Sequence, residues 1–259
     1  MKLCKSYYII RRSKCQQNVQ ILRRCGILKR LCVKEKRMDK IKKYFSRLNI
    51  RSYIWRVITG QIALIIADFG LGAYYASGLG SDPSSVFNDG MHNILGCTYG
   101  EANTIWSWIF FAGIVLFMRD QLGIGALLDT VTAGPFIDLF EQMLSRLYPS
   151  TSSPMYVRLL LVAVGCICFA GGTGIFIGTN IGIGPYNFPT MVFSRLLKKD
   201  VNVGQLIADA IFFAVGWALG GVIGIGTVVG VLLQGFILDY AMKKSEPIVD
   251  RIFGQLYKD

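Results

Sequence analysis

From Val57 onward, apolar runs of about bilayer-crossing length alternate with short polar interruptions. About twenty helical residues cover the ~30 Å hydrocarbon core of a membrane. On that measure Val57–Ser77, Gly100–Met118 and Leu122–Leu144 read as three spans, the last two separated by Arg119 and Asp120. The polar stretch Arg146–Pro154, with two prolines, is a loop. Tyr156–Gly178, Val203–Gly221 and Ile225–Met242 then read as three more spans, closed by Lys243 and Lys244. Two shorter segments interrupt this series. Pro83–Leu95 has Asp82 as an N-cap and proline at the first helical position. At 1.5 Å per residue it makes a helix of roughly 20 Å, too short to cross, and it carries Asn88, Asp89, His92 and Asn93. Pro185–Leu197 is its counterpart.

The two series are related by a shift. Gly70, Gly72, Gly80 and Pro83 fall on Gly172, Gly174, Gly182 and Pro185 at 102 positions, and Gly100 falls on Gly204 at 104. Gly123 and Gly125 fall on Gly224 and Gly226 at 101, carrying Asp138 onto Asp239. A period near 100 residues is too long for a solenoid, so the chain reads as two fused halves. The expected fold is an all-α polytopic membrane protein with three spans and one half-helix per repeat, the repeats inverted. A parallel four-plus-four arrangement, with the short helices crossing, is the alternative. The boundaries are a basic arm at 1–53, repeats at 54–148 and 155–245, and a tail at 246–259.

Composition agrees with the pattern. The 259 residues are 53% hydrophobic and include 29 glycines, and the mean hydropathy is +0.45, above the usual soluble range of about 45–50% apolar. Many of the glycines are expected in close helix packing, as in Gly216-x-x-x-Gly220. Charge is segregated: eighteen of the 28 Lys and Arg precede Val57. The remainder has no basic groove with interleaved aromatics, which argues against nucleic-acid binding. The arm reads either as an amphipathic segment on anionic lipid, through Ile21, Leu22, Ile27, Leu28 and Leu31, or as sequence upstream of a start at Met38. With six spans, 26 Lys and Arg share the side of both termini and two, Arg146 and Arg158, lie opposite. The positive-inside rule then makes both termini cytoplasmic. Crossing half-helices would change the count only to 27 against one.

The order of apolar run, Gly78-Leu79-Gly80-Ser81-Asp82-Pro83, short polar helix and Gly-led span, repeated through Gly182 to Pro185 and Gly204, resembles the YczE/YyaS/YitT group of bacterial membrane proteins. In that group an aromatic residue often follows the proline; Tyr186 keeps this feature and Ser84 departs from it. The resemblance covers about residues 50–245. It implies a plasma-membrane protein, a small transporter or exporter, and supplies no substrate.

Candidate chemistry comes from polar groups at membrane depth. A carboxyl group at a span's centre costs about 2.5–3.5 kcal/mol on insertion scales, so each needs a reason. Asp68, Asp129 and Asp209 lie within spans, and their repeat counterparts are Ala170, Gly230 and Ile105. Unmatched acids suit a substrate or ion site; a buried hydrogen bond to Ser, Thr or an exposed amide is the competing reading. Asp138 and Asp239 match each other near span ends and suit a structural role. Helix starts present free amides and partial positive charge, which discontinuous transporter helices use to hold anions. Asp82 fills the first such end and Gly184 leaves the second open.

The candidate substrate- or ion-binding set is therefore Asp68, Gly80, Asp82, Asn88, Asp129, Gly182, Gly184, Tyr186, Asn187 and Asp209, with a proton-accepting role for Asp68. His92 reads as an interfacial residue ahead of a proton relay. No His-Glu-x-x-His, Gly-x-Ser-x-Gly or P-loop motif is present, so neither an enzyme nor an ATPase is expected. No cofactor or metal is expected either. The expected partners are the lipid bilayer and a small-molecule substrate. The leading function is an ion-gradient-driven transporter, and a membrane scaffold or accessory subunit is the alternative.

Overall fold

The computed structural model describes residues 49–119, 121–198 and 201–254. Residues 1–48 of the basic arm, with the start at Met38, and the tail beyond residue 254 lie outside the described residues. Within them the chain is helical, with no strand: α1 (Ile50–Ser77), α2 (Pro83–Leu95), α3 (Tyr99–Phe117), α4 (Ile124–Leu147), α5 (Met155–Gly178), α6 (Asn187–Leu197), α7 (Val201–Ala218) and α8 (Ile225–Phe253). Among these, α1, α3, α5 and α8 are both long and apolar enough to cross a membrane. The 24-residue α4 has the length but carries Asp129, Asp138 and Glu141, and α7 is apolar but short, at 18 residues.

Side-chain ties fix which helix ends lie together. Trp55 stacks on Phe253 with centroids 6.0 Å apart. Arg56 donates to the Thr179 carbonyl at 3.2 Å and pairs with Asp250. The start of α1 and the ends of α5 and α8 therefore share one end of the bundle. At the far end Arg158, near the start of α5, donates to the Ser77 carbonyl at 2.7 Å and the Gly78 carbonyl at 3.0 Å. So α1 and α5 run antiparallel. They approach closely where Gly70 meets the Gly165 carbonyl and Gly172 meets Ala63 and Ala67, small residues letting backbones pack. Gly72 lies against Phe140 and Glu141, which sets α4 parallel to α1.

The half-helices enter from opposite ends. After α1 the chain turns back, and Asp82 reaches Gly230, five residues beyond the start of α8 and so about 7.5 Å along it. From there α2 returns outward. Its last turn meets the far end, where the Asn93 amide donates to the Gly220 carbonyl at 2.9 Å and Asp89 accepts from the Val222 amide. After α5, Gly182 lies against Gly123, and Gly184 lies against Asp129, deeper along α4. α6 then returns toward the first end, with Ser194 packed on Gly204 near the start of α7. α7 packs against both half-helices.

Several sequence-based limits shift. The first helix begins at Ile50 rather than Val57, so Arg56, expected just ahead of the span, lies within it and is 1% exposed. The last helix passes Pro247 and runs to Phe253, because Arg56 gathers Asp250 and the Gly254 carbonyl there. α6 begins two residues later than expected, since Gly184 and Pro185 form a turn closed by the Asn187 and Phe188 amides. Of the Gly216-x-x-x-Gly220 pair, Gly216 packs on Val86 and Phe87 of α2, whereas Gly220 has open space and sits in a turn.

Candidate functional site

The starts of α2 and α6 meet at one cavity of about 620 Å³, its open mouth included. Asp68 of α1 and Asp129 of α4 line it with Ser84, Ser85 and Asn88 of α2, and with Tyr186 and Asn187 at the start of α6. Helix α3 contributes Asn103, Trp106 and Ser107, and α5 contributes Phe169, Thr173 and Phe176. No Lys, Arg or His is among these lining residues.

Asp68 is 3% exposed, and its Oδ2 has no hydrogen-bond partner among the described residues. Buried polar atoms are nearly always satisfied, so this oxygen marks a place for a proton, an ion or a ligand group. Asp129 lines the same cavity as Asp68. Two carboxyl groups facing one enclosed space repel when both are ionised, and low polarity strengthens that repulsion.

Asp82 is fully buried and turned onto its own helix, accepting from the Ser84 amide at 3.2 Å, the Ser84 hydroxyl at 2.6 Å and the Ser85 hydroxyl. It caps α2 and takes up the partial positive charge of that end. The start of α6 has no side-chain cap, yet it is not open as the sequence reading held. The Asp129 carboxylate lies against Gly184, where an added Cβ would collide with Oδ2. A carboxyl group thus stands at each half-helix start, one local in sequence and one brought in by α4.

The other candidates act indirectly or structurally. Asn88 donates to the Tyr75 hydroxyl at 2.9 Å and the Tyr99 carbonyl at 3.0 Å, and accepts from Trp106 Nε1 at 3.1 Å. Its amide is spent on fixing two rings. Asp209 accepts from the Tyr186 hydroxyl at 3.3 Å and from Gln205 Nε2 at 2.9 Å, so it reaches the cavity through Tyr186. Gly80 (φ +85°) and Gly182 (φ +122°) are turn residues whose backbones press on Gly224 and Gly123. They shape the re-entry and do not line the cavity.

Asp138 accepts from the Gly100 amide at 2.7 Å and the Thr98 hydroxyl at 2.6 Å, capping α3. Asp239 pairs with Lys243 one turn on. His92 bonds the Cys97 carbonyl and stacks on Tyr99, tied to the turn after α2. The cavity also uses Asn103, Trp106 and Ser107, which the sequence reading passed over. Trp106 and Ser107 lie three and four residues after Asn103, which places them on its helix face, and that polar stripe in an apolar run is the signal the sequence offers.

Among the described residues, eight helices with apolar outer faces, α1–α6 of them lining one cavity of aromatic and polar side chains, define a polytopic helical membrane protein. The chain belongs to the family described as a family of unknown function (DUF6198), whose model matches residues 54–243. It is similar to the uncharacterized membrane protein YczE of Bacillus subtilis (strain 168), 32% identical over 188 residues that cover 70% of this chain and 83% of that protein. It is also similar to the uncharacterized protein YyaS of the same strain, 26% identical over 74% of this chain and 92% of YyaS. An uncharacterized protein of Haemophilus influenzae is 25% identical over 69% of this chain and 79% of its own length. No solved structure matches the chain.

Proposed function

We propose that this protein is an ion-gradient-driven transporter or exporter of small solutes in the bacterial plasma membrane. It is built as two inverted repeats, each of three spans and one half-helix, with both termini cytoplasmic. One observation carries the reading: half-helices entering from opposite ends of the bundle converge on a single cavity that holds Asp68 and Asp129. Secondary transporters place substrate and coupling ions beside discontinuous helices near the bilayer midplane, at the interface between repeats.

The repeat reading has support from a reciprocal tie. Gly226 N donates to the Leu79 carbonyl at 2.9 Å, and Gly125 N donates to the Ile181 carbonyl at 3.1 Å. Donor and acceptor correspond under the sequence shifts of 101 and 102. Each half thus holds the turn of the other. The sidedness rests on 26 of the 28 Lys and Arg lying with the termini.

The test is flux through the purified full-length protein in liposomes, with and without a pH gradient, across a panel of radiolabelled cationic, neutral and anionic solutes. Gradient-dependent accumulation of one class supports the proposal. Absence of flux for every class moves the accessory-subunit reading ahead of it.

A further inference from the structure

We propose that the cavity takes an organic cation: a small solute carrying a protonated amine or quaternary ammonium group on an apolar body. For the solute's passage across the membrane this deepens the transport reading and rests on it; for binding it stands alone. Sign comes first. The lining offers two carboxyl groups and no basic side chain, and Asp68 Oδ2 is a buried acceptor with nothing to accept from. A cationic donor between Asp68 and Asp129 would satisfy that oxygen and relieve the repulsion between the two groups.

The alternative preference, for an anion at the helix starts, is already blocked. Asp82 engages the Ser84 amide and both serine hydroxyls of α2. Asp129 lies against Gly184 beside the start of α6. An anion in the cavity would face Asp68 and Asp129, with no basic lining residue to offset them.

Wall chemistry then separates an organic cation from a bare ion. Tyr75, Trp106, Phe169, Phe176 and Tyr186 surround the space. Asn88 pins Tyr75 and Trp106, while Gln205 and Asp209 pin Tyr186. Fixed aromatic faces attract ammonium groups, an effect that grows when the partners are desolvated. Among the described residues no three His, Cys, Asp or Glu are grouped to hold a metal ion.

The experiment measures binding to the purified full-length protein by calorimetry. The probes are benzyltrimethylammonium and benzylammonium, against neutral N-benzylacetamide and anionic phenylacetate, with sodium chloride alone as the inorganic arm. Saturable binding is expected for the cations and binding weaker by about tenfold for the neutral and anionic probes. Asp68→Asn should weaken cation binding by about tenfold while melting near the wild-type temperature, and Asp68→Glu should restore part of the loss. Equal or tighter binding of phenylacetate, a response to sodium without a response to either organic cation, or unchanged affinity in a folded Asp68→Asn overturns the inference. Counterflow of the same probes in liposomes separates the two claims. Cation binding without flux keeps this inference and removes the transport reading; flux of the neutral or anionic probe without cation binding does the reverse.

Discussion

The Gly226 amide donates a 2.9 Å hydrogen bond to the Leu79 carbonyl, fastening the turn after α1 to the first turn of α8. The bond draws the two backbones so close that Gly80, the next residue, has no room for a side chain. A Cβ there would stand 2.6 Å from the Gly224 amide nitrogen and from Thr227 Oγ1. At Gly182 a Cβ would stand 2.6 Å from Gly123 Cα. Everything that follows in α2 and α6 depends on these two turns holding their re-entrant course.

Gly80→Ala and Gly182→Ala should each cost about 3 kcal/mol or more, combining backbone strain with collision. Gly220→Ala is the control. Its φ of +86° is as strained for alanine, but nothing lies near its Cβ position, so about 1 kcal/mol is expected. Thermal unfolding in detergent ranks the three, and equal losses would show that the close approach is unimportant.

Arg56 is 1% exposed and reaches Ser52, Thr179, Asp250 and Gly254. Arg56→Ala strips hydrogen bonds from several groups at once and should cost about 3 kcal/mol. Asp250 is half-exposed, and Asp250→Asn retains an acceptor, so its cost should stay below about 1 kcal/mol. Melting temperatures of the two variants check the asymmetry; a larger loss for Asp250→Asn would refute it.

How far the sequence carried varies by feature, and the reason is locality. Both limits of α2 were readable because Asp82 and Pro83 start it, and it ends at Gly96, in the left-handed conformation, through contacts within a few residues. The burial of Arg56 was not readable, because its partners lie 123 to 198 residues away, apart from Ser52 one turn before it. The same holds for Asp129. Its position in α4 was plain, but its arrival at Gly184 follows from how α5 and its turn pack on α4. Asn103 and Ser107 are legible as a polar stripe, but uncharged side chains in an apolar run cost less to bury than carboxyl groups and so mark a site less sharply.

Sidedness has its own check. A single cysteine placed by Ser152→Cys in a cysteine-free background lies in the exposed loop between α4 and α5. With inverted three-plus-three repeats, a membrane-impermeant maleimide should label it from outside intact cells, while a tag after the C-terminus stays protected. Labelling at Ser152 only after cytoplasmic access would favour the parallel four-plus-four arrangement.

The acids should differ in rank. Asp209 touches the cavity only through the Tyr186 hydroxyl, and Asp209→Asn keeps an oxygen for that bond. Solute affinity should fall by less than about threefold, or under 1 kcal/mol. Tyr186→Phe should do similar harm, and the double variant should add little, because both act through one contact. A loss in Asp209→Asn as large as in Asp68→Asn would place Asp209 in the site itself.

In the proposed transporter the buried carboxyl of Asp68 is the group that would couple solute movement to an ion gradient. This role is tested most directly by comparing wild type and Asp68→Asn in liposomes, with and without an imposed pH gradient, using the solute class found to be carried. The amide has similar shape, so the variant should remain folded, and it does not ionise, so it cannot carry a proton in exchange for solute. Wild type should accumulate solute against its concentration gradient, and Asp68→Asn should lose that accumulation entirely. Undiminished gradient-driven accumulation in Asp68→Asn would contradict the account.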